Sequence, residues 1–202
     1  MADEAQPAGV TRRRDDELLD AIFDAVIAEL AEHGFHGVTF EGVTRRARTS
    51  KPVLYRRFKS RAELVAAAVV ARDPLPTHPK RSGNLRDELL SIFTLHEERY
   101  YRLGAGVVRG LLAELPQERS TAMLRDGVDA IMPPLRELLA AAAQRGELGD
   151  AEIPVVVIQV PIALLRHEFL SLGRVPKQHE VEQMLDLVYL PLLKLHSGAA
   201  QQ

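Results

Sequence analysis

Residues 34–68 read GFHGVTFEGVTRRARTSKPVLYRRFKSRAELVAAA, and helix signals follow one another closely in this stretch. Thr39, Ser50 and Ser60 are residue types that accept hydrogen bonds at helix N-termini, and Gly34 is the residue type that most often ends a helix. The stretch therefore predicts two short helices, which start after Thr39 and Ser50, and a longer helix that starts after Ser60.

The same stretch is strongly basic. Between His36 and Arg61 it contains eight lysines and arginines and a single acid, Glu41, whereas the whole chain of 202 residues has a formal net charge of -2. A local charge of about +7 in a mildly acidic protein indicates a binding surface for a polyanion. The acidic remainder disfavours a protein that binds nucleic acid over its whole surface.

Composition and periodicity predict helices along the rest of the chain. Aromatic residues make up only 5% of the sequence, and apolar residues from Leu18 to Leu30 recur at helical spacing. The proline-rich segment 73–84 predicts a loop. Residues 155–160, VVVIQV, favour a strand by propensity, but a lone short strand would have no partner, so we predict a helix there too. After the loop, helices are predicted near 85–102, 104–114, 118–131, 133–145, 153–172 and 178–196, with Pro133-Pro134 at a helix start. The fold class is therefore all-α.

The segment EHGFHGVTFEGVTRRARTSKPVLYRRFKSRAELVAAA, residues 32–68, resembles the DNA-binding domain of the TetR family of one-component transcriptional regulators. The resemblance covers about residues 16–68, and the rest of the chain is similar to the family only in being helical and of suitable length. The matching features are Gly34-Phe35, Thr39, Val43, Arg46-Ala47, Ser50, Leu54-Tyr55-Arg56-Arg57-Phe58, Lys59 and Glu63. One departure is the turn Arg48-Thr49, where the family usually has glycine.

The resemblance implies a domain organisation. A three-helix helix-turn-helix head would be followed by a larger C-terminal helical body that binds a ligand and forms a dimer. We assign residues 1–14 to a disordered basic arm, residues 15–60 to the DNA-binding domain and residues 61–202 to the ligand-binding and dimerisation domain.

In a helix-turn-helix, the second helix lies in the major groove and the first crosses the DNA backbone. Lys51 at the start of the second helix can donate to guanine, and Pro52 and Val53 can touch thymine methyl groups. Tyr55 and Lys59 match family positions that usually contact phosphates. The predicted DNA-binding residues are Thr39, Arg48, Ser50, Lys51, Pro52, Val53, Tyr55, Arg56 and Lys59, and the arm residues Arg12, Arg13 and Arg14 fit either a minor groove or a solvated tail. Arg45, Arg46 and Arg57 would supply further charge for the DNA backbone, but for Arg45 and Arg57 we favour side chains that are solvated or paired within the chain.

One head reads only a few base pairs, so we expect a homodimer that presents two heads to a pseudo-palindromic operator. The last two long helices carry the candidate dimer surface, although the same residues also suit a core. The candidates are Leu164, Leu165, Leu172, Leu185, Val188 and Leu192.

The expected body binds a small-molecule effector of unknown class, which releases DNA by favouring another spacing of the heads. Methionine and aromatic residues at helical spacing are core more often than pocket, so this set is a hypothesis. The candidate pocket residues are His96, Arg99, Tyr100, Arg109, Met123, Met132, His167 and Phe169.

Other classes of function have little support in the sequence. There is no cysteine, the seven histidines are scattered, and no P-loop, GxSxG or GxGxxG motif is present. We therefore expect no enzyme activity, no cofactor and no metal site. The longest apolar run, residues 153–165, is shorter than the roughly 20 residues of a membrane helix, and no signal peptide opens the chain, so we expect a cytoplasmic protein.

The sequence thus predicts a ligand-responsive transcriptional regulator, a repressor that is released from its operator by an effector. Two alternatives stay open. One is a protein that binds DNA without regard to sequence, and the other is a ligand-binding module whose head reads no operator.

Overall fold

The computed structural model describes residues 8–73 and 80–198, and for residues 8–14 it describes the backbone only. These ranges are helical with no β-strand, which confirms the all-α prediction, including the helix at VVVIQV. Two π-helical segments occur, Glu168–Leu172 directly after α8 and Leu185–Tyr189 between α9 and α10. The helices are α1 Ala8–Gly37, α2 Phe40–Arg46, α3 Lys51–Arg57, α4 Arg61–Arg72, α5 Leu85–Leu103, α6 Ala105–Glu114, α7 Gln117–Gln144, α8 Val155–His167, α9 Gln178–Met184 and α10 Leu190–His196.

The first helix is longer than predicted. It begins at Ala8, so residues 8–14, which we expected to be disordered, are helical. No glycine or proline stands between Val10 and Gly34, and nothing in that stretch therefore interrupts the backbone hydrogen bonds. The predicted stop at Gly34 is confirmed, because this residue has φ 65° and breaks the helix before one last turn. Residues 1–7 and the side chains of Arg12, Arg13 and Arg14 lie outside the described part.

The chain divides into two compact units. The first, called the head below, contains α1–α4 and the segment Gly110–Leu115 of α6. The second, called the body, contains α5, the rest of α6 and the described chain from α7 onward. Helix α4, which the sequence assignment placed with residues 61–202, packs mainly on α1, because its apolar face is buried there. The core of the head is formed by Ile22, Val26, Phe35, Val43, Leu54, Phe58, Leu64 and Val65.

The body buries one face of each of its long helices in a shared core. Tyr189 and Phe93 are its largest fully buried side chains; their rings meet edge to face, and the Tyr189 hydroxyl donates to the backbone oxygen of Ile158. Burial raises the pKa of Tyr189, so its hydroxyl stays a donor. Other members of this core are Leu89, Ile92, Leu135, Leu138, Leu165, Val181, Leu185 and Leu193.

The prediction of a helix boundary at Pro133-Pro134 is wrong. Helix α7 runs through both prolines. Each proline removes one backbone donor, yet buried residues on both sides, Ile131 and Leu135 among them, pack into the same core and hold the two halves in one helix.

The stretch Val155–Leu172 is long and apolar enough, by length and composition alone, to cross a membrane. Core helices of water-soluble proteins pass the same test. Here several apolar side chains of the stretch are exposed, namely Val155, Val156, Leu164 and Leu172.

Candidate nucleic-acid interface

Two capped short helices and a tight turn form the helix-turn-helix. The hydroxyl of Thr39 accepts a hydrogen bond of 3.0 Å from the backbone N–H of Gly42 and so caps α2. Ser50 has extended backbone and is the N-cap residue before α3, although its hydroxyl makes no capping bond. Between the helices, Arg48 has φ 51°, the left-handed conformation that usually requires glycine. The turn thus keeps its shape without the glycine that the family usually has there.

Helix α3 separates its side chains into a buried and an exposed face. Leu54 is fully buried, and Phe58 just after the helix is 8% exposed. Val53 is half-buried, so only part of it is available to a ligand. The predicted DNA-binding residues Lys51, Pro52, Tyr55 and Arg56 are all exposed on this helix.

Tyr55 is held in place although it is exposed. Its ring stacks on Phe40, the first residue of α2, with ring centroids 4.5 Å apart and ring planes within 4° of parallel. Because Phe40 is buried, the stack fixes the Tyr55 ring while 57% of the residue remains open to solvent. Its hydroxyl is therefore available to a partner of α3.

Seven of the eight basic residues of the stretch fall into two groups, and the eighth, Lys51, pairs with Glu41. Arg46 binds Glu29 and Glu32, Arg57 binds Asp15 at 3.0 Å, and Arg61 binds Glu114. These three arginines stabilise the head itself, and the prediction that Arg57 is solvated or paired within the chain is confirmed. By contrast, the exposed side chains of Arg45, Arg48, Arg56 and Lys59 make no ion pair with another described residue.

A buried acid gives Arg46 a structural role within the head. Glu29 on α1 is 2% exposed, and Arg46 Nε donates to its Oε1 at 3.1 Å. Gly42 allows this carboxylate to lie against α2, since a Cβ on Gly42 would stand 2.9 Å from Glu29 Cδ. The Arg46–Glu29 pair therefore ties α2 to α1. The sequence match at Arg46 had given no sign of this structural role.

In the body, part of the predicted pocket set comes together. The ring of Tyr100 stacks on the buried ring of Phe169 with centroids 4.2 Å apart. His96 is 8% exposed, and its Nδ1 lies 2.9 Å from the Ile92 carbonyl. Burial lowers the pKa of His96, so the ring is neutral, and its buried Nε2 has no hydrogen-bond partner among the described residues.

The other pocket candidates are more dispersed. Arg109 lies against the backbone of Gly173. Met132 is a core residue, Met123 is half-buried and His167 is exposed. Arg99 is half-buried on α5.

A surface groove of about 330 Å³ lies beside this set, lined by Glu97, Glu98, Tyr101, Arg102 and Val175. Sequence reasoning did not select any of these residues. Burial, and next the charge of Glu180, raise the pKa of Glu97 to about 7. The sequence signal for Glu97 was weak: no lysine or arginine stands at i−4 or i+4, and the burial of the carboxyl is known only from the structure.

The six dimer candidates divide by exposure. Leu165 and Leu185 belong to the body core, and Leu192 packs partly against it. Leu164, Leu172 and Val188 are 42%, 57% and 38% exposed. Leu187 and Leu195, on the same predicted dimer face as Val188, are exposed as well.

These observations define a class of protein, an all-helical chain whose head is a helix-turn-helix with a basic outer surface. Comparison with known proteins gives the family. Residues 22–68 match the bacterial regulatory proteins of the tetR family, and residues 79–188 match the tetracyclin repressor-like C-terminal domain. The chain belongs to the TetR family of transcriptional regulators, as the resemblance predicted.

Individual relatives agree with this assignment. An uncharacterized HTH-type transcriptional regulator of Mycobacterium tuberculosis is 32% identical over 171 residues, 84% of each chain. A DNA-binding transcriptional repressor TetR of Mycobacteroides abscessus is 25% identical over 177 residues, which is 86% of this chain and 93% of the relative. The solved fatty acid degradation regulator FadR from Bacillus halodurans shares the fold, with a TM-score of 0.56 at 14% identity over 87% of this chain and 94% of that chain.

Proposed function

We propose that this regulator is a homodimeric repressor that binds a pseudo-palindromic operator and leaves it when a small molecule enters the body. The observation that carries the proposal is the outer face of α3, where basic and aromatic side chains are exposed while the arginines that stabilise the head are paired elsewhere. A surface that keeps its unpaired cations beside a helix-turn-helix suits the DNA backbone.

Two kinds of contact are proposed for the head. Lys51 and Pro52, with the exposed part of Val53, read base edges in the major groove. Thr39, Arg48, Ser50, Tyr55, Arg56 and Lys59 contact phosphates, which sets the register of α3 on the duplex. Since the Thr39 hydroxyl already caps α2, it offers a phosphate only its remaining hydrogen-bonding capacity.

The dimer is proposed to form through the exposed apolar side chains after residue 155. Without a partner, five exposed apolar side chains would stay in water. They are Leu164 and Leu172 in residues 155–172, and Leu187, Val188 and Leu195 in residues 185–196. Apolar surface of this extent marks an interaction site in water-soluble proteins. A second copy presents the same side chains, as a two-fold interface requires.

The effector is proposed to bind near Tyr100, Phe169 and His96. The two stacked rings supply apolar surface, and the neutral His96 ring supplies an unused nitrogen. An effector that binds one arrangement of the heads more tightly than the other shifts the equilibrium between them. The DNA affinity can change by no more than the ratio of the effector's affinities for the two arrangements. Such a regulator works in the cytoplasm, where its DNA is.

Selection from a random pool of duplex DNA at near-physiological salt tests the proposal. We expect enrichment of an inverted repeat whose half-sites lie about one helical turn apart. Salt-sensitive binding without enrichment would instead support sequence-blind DNA binding. Absence of DNA binding would support a ligand-binding module.

A further inference from the structure

A single acid stands within the basic surface of the head. Glu41 is the only Asp or Glu between His36 and Arg61. Its carboxylate forms an ion pair with the ammonium group of Lys51. Glu41 lies in the first turn of α2 and Lys51 is the first residue of α3, so the pair joins the starts of the two helices.

Neither stability nor general DNA affinity accounts for this pair. The side chains are 58% and 49% exposed, so water and salt screen their attraction and the fold gains little from it. A carboxylate on a surface for a polyanion repels phosphates and weakens binding to every DNA sequence. Both groups are charged near neutral pH, since the hydrogen bond from Lys51 lowers the pKa of Glu41 and the same bond raises the pKa of Lys51.

The pair does restrict what Lys51 can reach. A lysine is a point charge on a flexible stem, and an unrestrained one donates equally well to phosphates and to any base acceptor. Glu41 occupies one of the three ammonium donors and holds the group at the start of α3, the part of a recognition helix that meets base edges. Two donors remain, which suits the O6 and N7 acceptors of guanine.

We propose that Glu41 is a specificity-determining positioning residue, which holds Lys51 at the base edges and away from the phosphates. Glu41 weakens binding to all DNA, but it increases the difference in affinity between the operator and other sequences, as repulsive elements do at selective interfaces. The proposal rests on the operator binding proposed above.

A double-mutant cycle tests this role. The affinities of wild type, Glu41→Gln, Lys51→Met and the double variant are measured for the selected operator and for operators changed at each base pair of a half-site. Glu32→Gln is the matched control, because Glu32 is a half-exposed acid of the same head that pairs with an arginine, Arg46, instead of Lys51. Thermal unfolding of all five proteins checks that each is folded.

We expect Lys51→Met to lower discrimination at one base pair by about tenfold. Glu41→Gln should bind all sequences about twofold to threefold more tightly, since a repulsive charge is gone. It should also lower discrimination at the same base pair by about threefold to tenfold. In the Lys51→Met background, Glu41→Gln should leave discrimination unchanged, and Glu32→Gln should leave it unchanged in the wild type.

Two outcomes would overturn the inference while operator binding stands. Unaltered discrimination in Glu41→Gln would show that Lys51 needs no positioning by Glu41. An equal loss with and without Lys51 would show that Glu41 reads DNA by itself. If the wild-type protein selects no operator, the proposed function fails before this test is reached.

Discussion

Gly110 lies directly against the ring of Phe35, so close that a Cβ on Gly110 would stand 2.5 Å from Cγ and 2.6 Å from Cε1 of that ring. Phe35 is 3% exposed and carries the guanidinium of Arg61 at 5.0 Å from its ring centroid. Arg61 in turn binds Glu114 and donates to the His36 carbonyl at 2.8 Å. The end of α6 is thereby fixed to the end of α1 and the start of α4 within the head.

We expect Gly110→Ala to destabilise the protein. Overpacking a buried ring costs about 1–3 kcal/mol, and the helix propensity of alanine returns up to about 1 kcal/mol of that. Gly106 on the same helix is the control, because a Cβ placed there meets no described residue within 4 Å apart from the helix's own backbone and its chain neighbours. Gly106→Ala should therefore raise the thermal midpoint while Gly110→Ala lowers it. Equal midpoints for the two variants would contradict the packing.

At Arg48, one substitution should change protein stability and DNA affinity in opposite directions. Its left-handed backbone, φ 51°, is strained for any residue with a Cβ. Arg48→Gly should stabilise the protein by about 0.5–1 kcal/mol after the larger unfolded-state entropy of glycine is counted. The same change removes a proposed phosphate contact, so DNA affinity should fall and the salt slope should decrease by about one ion.

Arg48→Lys is the control for that experiment, since it keeps both the strain and the charge. Its thermal midpoint and its salt slope should stay near those of the wild type. If Arg48→Gly gains stability without loss of DNA affinity, Arg48 contacts no phosphate.

Tyr55 and Lys59 are expected to bind phosphates whatever the base sequence. Lys59→Ala should weaken binding to operator and non-operator DNA alike and flatten the salt slope by about one ion. Tyr55→Phe keeps the stack on Phe40 and removes only the hydroxyl. It should therefore weaken binding to both kinds of DNA and leave the fold unchanged. Wild-type operator affinity of both variants at moderate salt would refute these two assignments.

Much of the head was predictable from the sequence, because its helix starts, its helix stop at Gly34 and its basic surface depend on residues close in the chain. The strained turn at Arg48 could be located for the same reason. The sequence did not reveal the structural role of Arg46, since the acids that it binds lie on α1 and are distant in sequence. Only the three-dimensional packing brings Glu29 under α2.

The body was less predictable, and tertiary packing is the reason. Pro133-Pro134 carries the local signal of a helix start, but burial on both sides keeps α7 intact. Leu165 is core although its chain neighbour Leu164 is exposed, and Leu185 is core although Val188, three residues later, is exposed. Periodicity identifies an apolar helix but cannot assign each apolar face to a core or a partner.

Leu164 and Val188 are the exposed members of the predicted dimer set that suit a charge substitution. Leu164→Glu and Val188→Glu should each shift the protein from dimer to monomer, because a carboxylate buried at a two-fold interface meets its own copy. Analytical ultracentrifugation measures the shift, and operator affinity should fall with it. Val70→Glu, at a residue 73% exposed in the head, should remain dimeric. A dimer in all three variants would place the interface elsewhere.

Glu97 predicts a pH dependence whose sign follows from its pKa of about 7 in the folded protein. The ordinary value is 4.5, so the folded state holds the proton more tightly than the unfolded state does. Burying this carboxyl therefore does not lower the free energy of unfolding below about pH 4.5. The cost grows as the pH rises from 4.5 to 7, and it reaches its full value above pH 7. The groups around it are Glu98 and Arg102 in the groove, and Glu180.

Glu97→Gln removes that titration and should stabilise the protein at pH 8 but not at pH 4.5. After allowance for solvent screening of a half-buried group, the gain is about 1 kcal/mol, or about 2–4 °C in thermal midpoint for a chain of this size. Glu98→Gln, at the exposed neighbour in the same groove, should leave the pH dependence as in the wild type. An equal shift of the Glu97→Gln midpoint at both pH values would mean that folding leaves the pKa of Glu97 unchanged, which contradicts the burial of its carboxyl.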